Sequence, residues 1–240
     1  LTTWQDQLPA DTPNYFAINI QPSERDAFEQ AVAPRVETQS TLYPMVRGRI
    51  TQINGQAPRE AVPPDARGDN SLRRELNLTW QSELPEGNQV VAGQWFVAEP
   101  QGWMSEVDAT ASSESQTVPI SVEDGLAERL GLGIGDEITF AVGSDSITTH
   151  IQSLRSLNWE SFDPNFFVIF PPGVLESFGH SFITAFHLPD QEQGLVRELV
   201  SDFPGVSLLN VDAILGQVRD VLTQVTRAVE LVLVLVLLAG

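Results

Sequence analysis

NYFAINI at residues 14–20 and SFITAFHL at residues 181–188 decide the fold, because each begins the same order of predicted elements. Both stretches are rich in β-branched and aromatic residues, which predicts strands. The two resulting units are strand 14–20, helix 23–33 and strand 41–53, and then strand 181–188, helix 190–203 and strand 206–211. Two β-α-β units around a strand-rich middle predict an α+β fold, in which they pair as one split sandwich with a second subdomain inserted. Two sequential domains are the alternative.

This arrangement divides the chain into four parts. Two of them flank the fold, since residues 1–13 are expected to end a preceding helix or stalk and residues 212–240 to form a stalk helix that starts a transmembrane helix. The discontinuous subdomain comprises residues 14–56 and 180–211, and the inserted subdomain comprises residues 57–179.

The inserted part carries its own loop, helix and hairpin signals. Residues 56–74 contain three prolines and little apolar content, which predicts an exposed linker or long loop. Ser121 and Asp124 resemble a capping box and predict a short helix that stops at Gly131. Alternating apolar residues around a Gly-Ser-Asp-Ser turn predict a hairpin over residues 138–157.

The C-terminal segment changes from a striped helix to a wholly apolar one. The predicted stalk face is Val218, Leu222, Val225 and Val229, and the predicted membrane entry is Leu231, Leu233, Leu235 and Leu237. At 1.5 Å per residue, residues 211–240 would form a helix about 45 Å long, which exceeds the thickness of a bilayer core. The alternative is a buried C-terminal core helix.

Composition excludes several classes of protein. The chain has 240 residues, 13 cations that are all arginine, 32 carboxylates and a net charge of −19, so it is not expected to bind nucleic acid. It contains no cysteine, which excludes thiolate catalysis, disulfides and iron–sulfur clusters.

Motifs for catalysis and for cofactors are also missing from the sequence. GLGIGD at residues 131–136 lacks the glycine spacing of a phosphate loop, and His150, His180 and His187 are not spaced as metal ligands. We therefore predict no enzyme activity, metal or cofactor, although the many carboxylates leave a glycosidase-type pair open. Trp103 and Met104 lie among acidic residues and are the candidate loop for a hydrophobic ligand or partner.

Several motifs in order resemble a known family. SVEDGLAERLGLGIGDEITFAVGSDSITTHIQSLRSLNW at residues 121–159 is similar to the periplasmic core domain of MacB/FtsX-like ATP-binding-cassette permeases. NYFAINI, VRGRITQING at 46–55 and the stretch 182–210 resemble the split porter-type subdomain around a Sabre-type insertion. NYFAINI, together with residues 74–96 and 158–176, is similar to the YbbP-type permeases within that family.

The resemblance implies further membrane helices and a cytosolic ATPase partner of the YbbA type. A periplasmic esterase or thioesterase of the TesA type and membrane lipids are further implied partners. The function that it implies is coupling of ATP hydrolysis, through stalk helices, to extraction or export of hydrophobic molecules at the inner membrane, with this segment on the periplasmic side. The alternatives are a scaffold that docks and activates a periplasmic hydrolase, and a membrane-anchored hydrolase with its own carboxylate site.

Overall fold

The computed structural model describes residues 12–96, 117–158, 163–211 and 213–214, and within them the mixed α+β class is confirmed. The helices are α1 Arg25–Val32, α2 Pro58–Ala61, α3 Asp124–Leu130 and α4 Gly194–Asp202. The strands are β1 Tyr15–Ile20, β2 Thr38–Gln39, β3 Tyr43–Ile53, β4 Leu76–Trp80, β5 Asn88–Gly93, β6 Val118–Glu123, β7 Glu137–Val142, β8 Asp145–Leu157, β9 Val168–Phe170, β10 Ser181–His187 and β11 Ser207–Asn210.

The strands follow one hydrogen-bonded path in the order β11-β1-β10-β3-β4-β9-β6-β8-β5. β2 adds to β10, and β7 pairs with both β3 and β8. β3 is the strand that changes partners, because residues 43–45 pair with β10 whereas residues 46–53 pair with β4 and β7. The chain therefore passes through β3 from one packed region to another.

The first packed region, called here the terminal region, comprises β1, α1, β2, β10, α4, β11 and residues 43–45 of β3. β10 runs antiparallel to β1 and to β3, so the two strands that flank α1 are parallel with β10 between them. In the same way β1 lies between β10 and β11, the two strands that flank α4. Each β-α-β unit thus encloses one strand of the other unit.

The helices of the terminal region cover one face of its strands. Phe28 and Val32 on α1 and Leu195 and Leu199 on α4 are buried in one apolar cluster. The ring of Phe28 meets Phe203 edge to face, with the two centroids 5.4 Å apart. Apolar positions three or four apart place these side chains on one face of each helix. Burial of that face against the strands stabilises the terminal region.

The second packed region, called here the central region, comprises residues 46–53 of β3, α2, α3 and β4 to β9. Its apolar cluster draws on every one of those strands except β5, together with α3 and the segments 62–72 and 174–175. Phe140 and Phe170 meet edge to face within it, with centroids 5.7 Å apart. A smaller cluster of Met45, Phe96, Phe166 and Ile169 lies beside it and also contacts Ile18 and Ile183 of the terminal region.

The prediction of an exposed linker or long loop over residues 56–74 is wrong in part, because the stretch is largely exposed but packs against the central core. α2 and two turns of 3-10 helix occupy this stretch, and Val62, Ala66 and Leu72 are buried in the central cluster. These three apolar residues are spaced too widely, among arginines and prolines, to produce a helical or strand period in the sequence. The segment therefore covers the central core although its composition is that of a loop.

The predicted start of the short helix is also corrected. Residues 118–123 form β6, and the cap of α3 is Glu123, whose carboxylate accepts a hydrogen bond from the backbone N–H of Leu126 at 2.5 Å. Ser121 therefore belongs to a buried strand and caps nothing. The stop at Gly131 is confirmed, since this residue is left-handed with φ 69° and ends the helix.

None of the helices in the described ranges combines the length and the apolar content that crossing a membrane requires.

Candidate docking groove

The residues that the sequence singled out lie outside the described residues. Among them are both members of the hydrophobic loop, Trp103 and Met104. The predicted stalk face of Val218, Leu222, Val225 and Val229 and the predicted membrane entry of Leu231, Leu233, Leu235 and Leu237 lie there as well. Their roles stay predictions, and the candidate site described below was not found from the sequence.

A groove of about 510 Å³ lies where the terminal and central regions meet. Its apolar lining includes Ile18 on β1, Met45 and Val46 at the point where β3 changes partners, and Phe178. The turn between β7 and β8 contributes Val142 and Gly143. The groove thus has an apolar floor made by both regions, and the polar groups stand around it.

Asn19 forms one polar wall of the groove and adopts a left-handed backbone with φ 67°. It lies where the register of β1 against β10 shifts, between Ala17 and Ile20. Its side-chain amide donates to the carbonyl oxygen of Gly205 at 2.9 Å, and the Gln21 amide donates to the Asn19 carbonyl at 3.3 Å. Asparagine tolerates this conformation better than most residues, so the bulge holds a fixed amide at the groove.

His180 also lines the groove and is held by two aromatic rings. Its ring lies edge to face with Trp80 at 5.1 Å and with Phe182 at 5.5 Å between centroids. Nδ1 lies 2.8 Å from the carbonyl oxygen of Phe178. A carbonyl only accepts, so Nδ1 carries the proton, and in the neutral ring Nε2 is an acceptor. The described residues contain no cluster of three His, Asp or Glu that could hold a metal.

The rim of the groove carries an ion pair between Arg47 and Glu75, with 3.8 Å between Nη1 and Oε2. The two side chains are 71% and 58% exposed, so this pair contributes little to stability. Glu75 also lines a second hollow of about 170 Å³, together with Arg74, Leu76, Phe166 and other residues. The two hollows adjoin at Glu75 and form one surface with an arginine on each side.

Exposed arginines continue from this rim across the central region. The six arginines of residues 47–74, called here the basic face, are Arg47, Arg49, Arg59, Arg67, Arg73 and Arg74, and all are exposed. Among the described residues, only Arg47 of these six forms an ion pair. The basic face is thus a set of six exposed arginines, five of which form no ion pair among the described residues, on a strongly acidic chain.

A row of small and polar residues crosses the sheet of the central region. Registered neighbours on successive strands are Thr79 on β4, Ile169 on β9, Ser121 on β6, Ser153 on β8 and Gly93 on β5. The hydroxyl oxygens of the threonine and of both serines are buried and have no hydrogen-bond partner. Burying unpartnered polar groups costs free energy, so this row weakens the central region.

Arg155 is fully buried beside this row, at the register position of Glu123. One terminal nitrogen, Nη2, donates to the carbonyl oxygen of Phe166, whereas Nε and Nη1 have no partner. Burial lowers the pKa of Arg155 to about 9, although the charges of Glu123 and Asp124 act in the opposite direction. Sequence analysis missed this residue because its neighbours Ser153 and Ser156 are typical of an exposed strand face.

Comparisons with known proteins show which class of protein the chain resembles. No family model matches the chain. Its sequence is similar, over its whole length, to part of an ATP-binding-cassette transporter permease, which confirms the resemblance stated above. That relative is YbbP of Escherichia coli (strain K12), described as an uncharacterized ABC transporter permease, and the two are 38% identical over 240 residues. The chain spans about a quarter of that permease, 27% of its length.

Two solved structures share a partial likeness with the fold. One is the periplasmic region of MacB from Actinobacillus actinomycetemcomitans, with 12% identity, a TM-score of 0.44 and coverage of 87% of this chain and 94% of that one. The other is a domain of a putative permease protein from Porphyromonas gingivalis, with 12% identity, a TM-score of 0.31 and coverage of 84% and 85%.

Proposed function

We propose that this chain is the extracytoplasmic part of an ATP-binding-cassette permease and that it couples cytosolic ATP hydrolysis to extraction or export of hydrophobic molecules at the inner membrane. The observation that carries the proposal is the 38% identity to the YbbP permease along the entire chain. The chain itself would be no enzyme, and the ATPase would be a separate, YbbA-like cytosolic subunit. A periplasmic TesA-like esterase or thioesterase and membrane lipids complete the proposed set of partners.

The packing of the two regions supports the proposed division into subdomains. We assign the terminal region to the porter-like subdomain, predicted at residues 14–56 and 180–211, and the central region to the inserted Sabre-like subdomain, predicted at residues 57–179. The central region also takes in residues 46–53 of β3, so the boundary lies within that strand. β3 joins the two, since its first residues pair in one region and its later residues in the other. The stalk helix would continue from Val211 through residues 212–240 into the membrane.

The two ends of the described chain lie side by side, which supports the proposal that motion reaches the protein through the terminal region. The backbone N–H of Val211 donates to the carbonyl oxygen of Asn14 at 2.9 Å, so both ends leave the terminal region side by side. Two stalk helices at these ends would move the terminal region as a rigid body, and the central region would follow through β3. The groove lies at that junction and would change its shape with the motion.

Distance measurements between two labels test this proposal. The segment has no cysteine, so single cysteines placed at the exposed positions Arg197 on α4 and Arg67 in the central region report the distance between the regions. The full-length permease, assembled with its ATPase subunit in nanodiscs, is expected to show a distance change on adding ATP and vanadate. Identical distributions with and without nucleotide would contradict coupling through these regions.

A second candidate function is a scaffold that docks and activates a periplasmic hydrolase without transport. The observation that favours it is the set of six exposed arginines of the basic face, of which Arg47 lines the groove. Transport predicts vectorial, ATP-dependent movement of a hydrophobic probe in vesicles. A scaffold predicts no such movement, and only a change in the turnover of the partner hydrolase.

A further inference from the structure

The strongest unassigned feature of the molecule is the distribution of its charge. Residues 47–74 carry six arginines and three carboxylates, whereas the rest of the chain carries seven arginines and 29 carboxylates. One segment is therefore positive in a chain whose net charge is −19. Exposed positive charge concentrated in one segment attracts an anionic partner and orients it as it approaches.

The segment is built so that its arginines remain exposed. Val62, Ala66 and Leu72 face the central core, which leaves Arg59 and Arg67 on the outside of the same short helical turns. Arg129 on α3 reaches Asp69, at 3.3 Å between Nε and Oδ2, and so neutralises one of the three carboxylates. Most of the positive charge is thereby left without an internal partner.

The groove supplies apolar contact next to part of this charge. Its exposed apolar surface comes mainly from Ile18 and Phe178, which are half-buried, since Met45 and Val46 are buried in the core. The second hollow shares Glu75 with the groove and is mainly polar, with Arg74 beside it. A half-buried apolar site next to arginines can seat an apolar anchor while the surrounding charges pair.

We infer that this surface docks an acidic polypeptide segment of a partner protein. An apolar side chain of the segment enters the groove, and its carboxylates pair with Arg47, Arg74 and the neighbouring arginines. Carboxylates fit the planar guanidinium in a two-pronged geometry, which adds orientation to the attraction. The docked partner contacts both regions, because the groove is lined by both.

A protein partner is preferred to lipid headgroups because of where the basic face lies. The chain ends leave from the terminal region, and every arginine of the basic face lies on the central region or on the part of β3 that pairs within it. This preference rests on the proposed function, in which the ends lead to the membrane. The inference that this surface docks acidic groups does not need the proposed function, since the inference rests on the groove and on the exposed arginines.

The experiment measures binding of short synthetic peptides to the full-length permease in zwitterionic nanodiscs. The probe is a fluorescent peptide with one phenylalanine among glutamates, and the matched peptides replace its glutamates by lysines or its phenylalanine by alanine. The double variant Arg47→Gln, Arg74→Gln removes charge from both sides of Glu75. The control is Arg197→Gln, which removes one exposed arginine from α4.

The acidic peptide is expected to bind in a salt-sensitive manner and to lose about tenfold in affinity in the double variant, with less than a twofold change in the control. The alanine peptide is expected to bind more weakly, and the lysine peptide not to bind. Equal affinity of the acidic peptide for wild type and double variant overturns the inference, as does binding of the lysine peptide.

If the acidic peptide does not bind, two further measurements test whether the surface binds lipid or a second copy of the chain instead. Binding to vesicles that contain phosphatidylglycerol, lost in the double variant, would assign the basic face to lipid and overturn the inference. Salt-sensitive dimerisation, lost in the same variant, would assign it to a second copy and also overturn it. The nucleotide-dependent distance change described above is measured without any peptide, so failure of the docking inference and failure of coupling are distinguishable.

Discussion

The terminal and central regions fill their interiors in different ways. In the terminal region the helices α1 and α4 cover the sheet, and the buried Thr184 hydroxyl donates to the Ser40 carbonyl oxygen at 2.9 Å. Among the described buried side-chain atoms without a partner, one lies there, Nε2 of Gln39. Five lie in the central region, on Thr79, Ser121, Ser153 and Arg155. A closed apolar core therefore supports the chain ends. The central region buries its unsatisfied polar groups on the sheet face opposite its main apolar cluster, because Thr79 and Ser121 alternate with Leu78 and Val122 of that cluster.

This difference indicates where the free energy of unfolding resides. A core in which all polar groups are hydrogen-bonded gains free energy of unfolding from the apolar surface that it buries. A row of buried polar groups without partners cancels part of that gain. The terminal region is thus expected to resist rearrangement of its packing. The central region is the part in which binding of another molecule is expected to improve stability.

The largest effect is expected from removing one matched phenylalanine in each region. Phe28→Ala in the terminal region and Phe140→Ala in the central region each delete a fully buried ring and are expected to cost about 3–5 kcal/mol. Urea unfolding followed by tryptophan fluorescence measures both. If the regions unfold as one unit, both variants shift a single transition, and a split transition in only one variant would show that they unfold independently.

The next effect concerns the end of the polar row at Gly93. A Cβ added there would collide with the backbone carbonyl oxygen of Gln152, and the residue has φ +72°. Gly93→Ala is expected to lower the free energy of unfolding by about 2–3 kcal/mol. Gly55→Ala is the matched control, with φ +74° and no atom near the added Cβ, and it is expected to cost about 1 kcal/mol. Equal losses of free energy of unfolding in the two variants would show that the close approach of β5 to β8 does not affect stability.

A loss of stability is expected from replacing the buried guanidinium. Arg155→Met removes the bond to the Phe166 carbonyl oxygen and leaves the buried Glu123, at the opposite register position, without its neighbouring positive charge. Removing one member of a buried pair of charges is destabilising, and about 1–2 kcal/mol is expected here because loss of the unpartnered Nε and Nη1 offsets part of the cost. A gain of stability in urea unfolding would show instead that the unsatisfied guanidinium outweighs these contacts.

The smallest effect is expected from Asp69, at the turn beneath the basic face. Hydrogen bonds from the Ser71 hydroxyl at 2.7 Å and from its backbone N–H at 2.8 Å lower the pKa of Asp69, and Arg129 acts in the same direction. Asp69→Ala is expected to cost about 1 kcal/mol at pH 7, as loss of a cap does. Because the folded pKa is lowered, the contribution of the carboxylate is complete above its ordinary value of 3.8 and is lost as the pH falls below it. Unfolding curves at pH 7 and at pH 3 should therefore differ less for the variant than for the wild type.

The sequence predicted most of the elements that have a strong period. The strands at 14–20 and 181–188, the hairpin over 138–157 and the stop at Gly131 correspond to observed elements because local pattern and turn chemistry determine them. The segment 56–74 and the strand β6 were missed, since tertiary packing rather than local pattern buries Val62 and Ser121.

The groove and the basic face were less predictable from the sequence than these elements. The groove needs Asn19, Met45 and His180, which lie far apart in the sequence and meet only because β1, β3 and the segment before β10 come together. The arginines were visible as residues, but their common exposure follows from the fold of a segment that had been predicted to be a linker. The predicted candidates Trp103 and Met104 were chosen from local composition alone, and they lie outside the described residues.

The adjacent exit of the two chain ends has a mechanical consequence. β1 and β11 are antiparallel, with Tyr15 opposite Asn210, so a force that pulls the ends apart acts on one end of this ladder. Hydrogen bonds loaded in this way break one after another, at lower force than bonds loaded together in shear. The central region lies outside the shortest path between the two ends and would bear little of the tension. Stalks that are pushed or tilted together would therefore transmit far more load through this fold than stalks that are drawn apart.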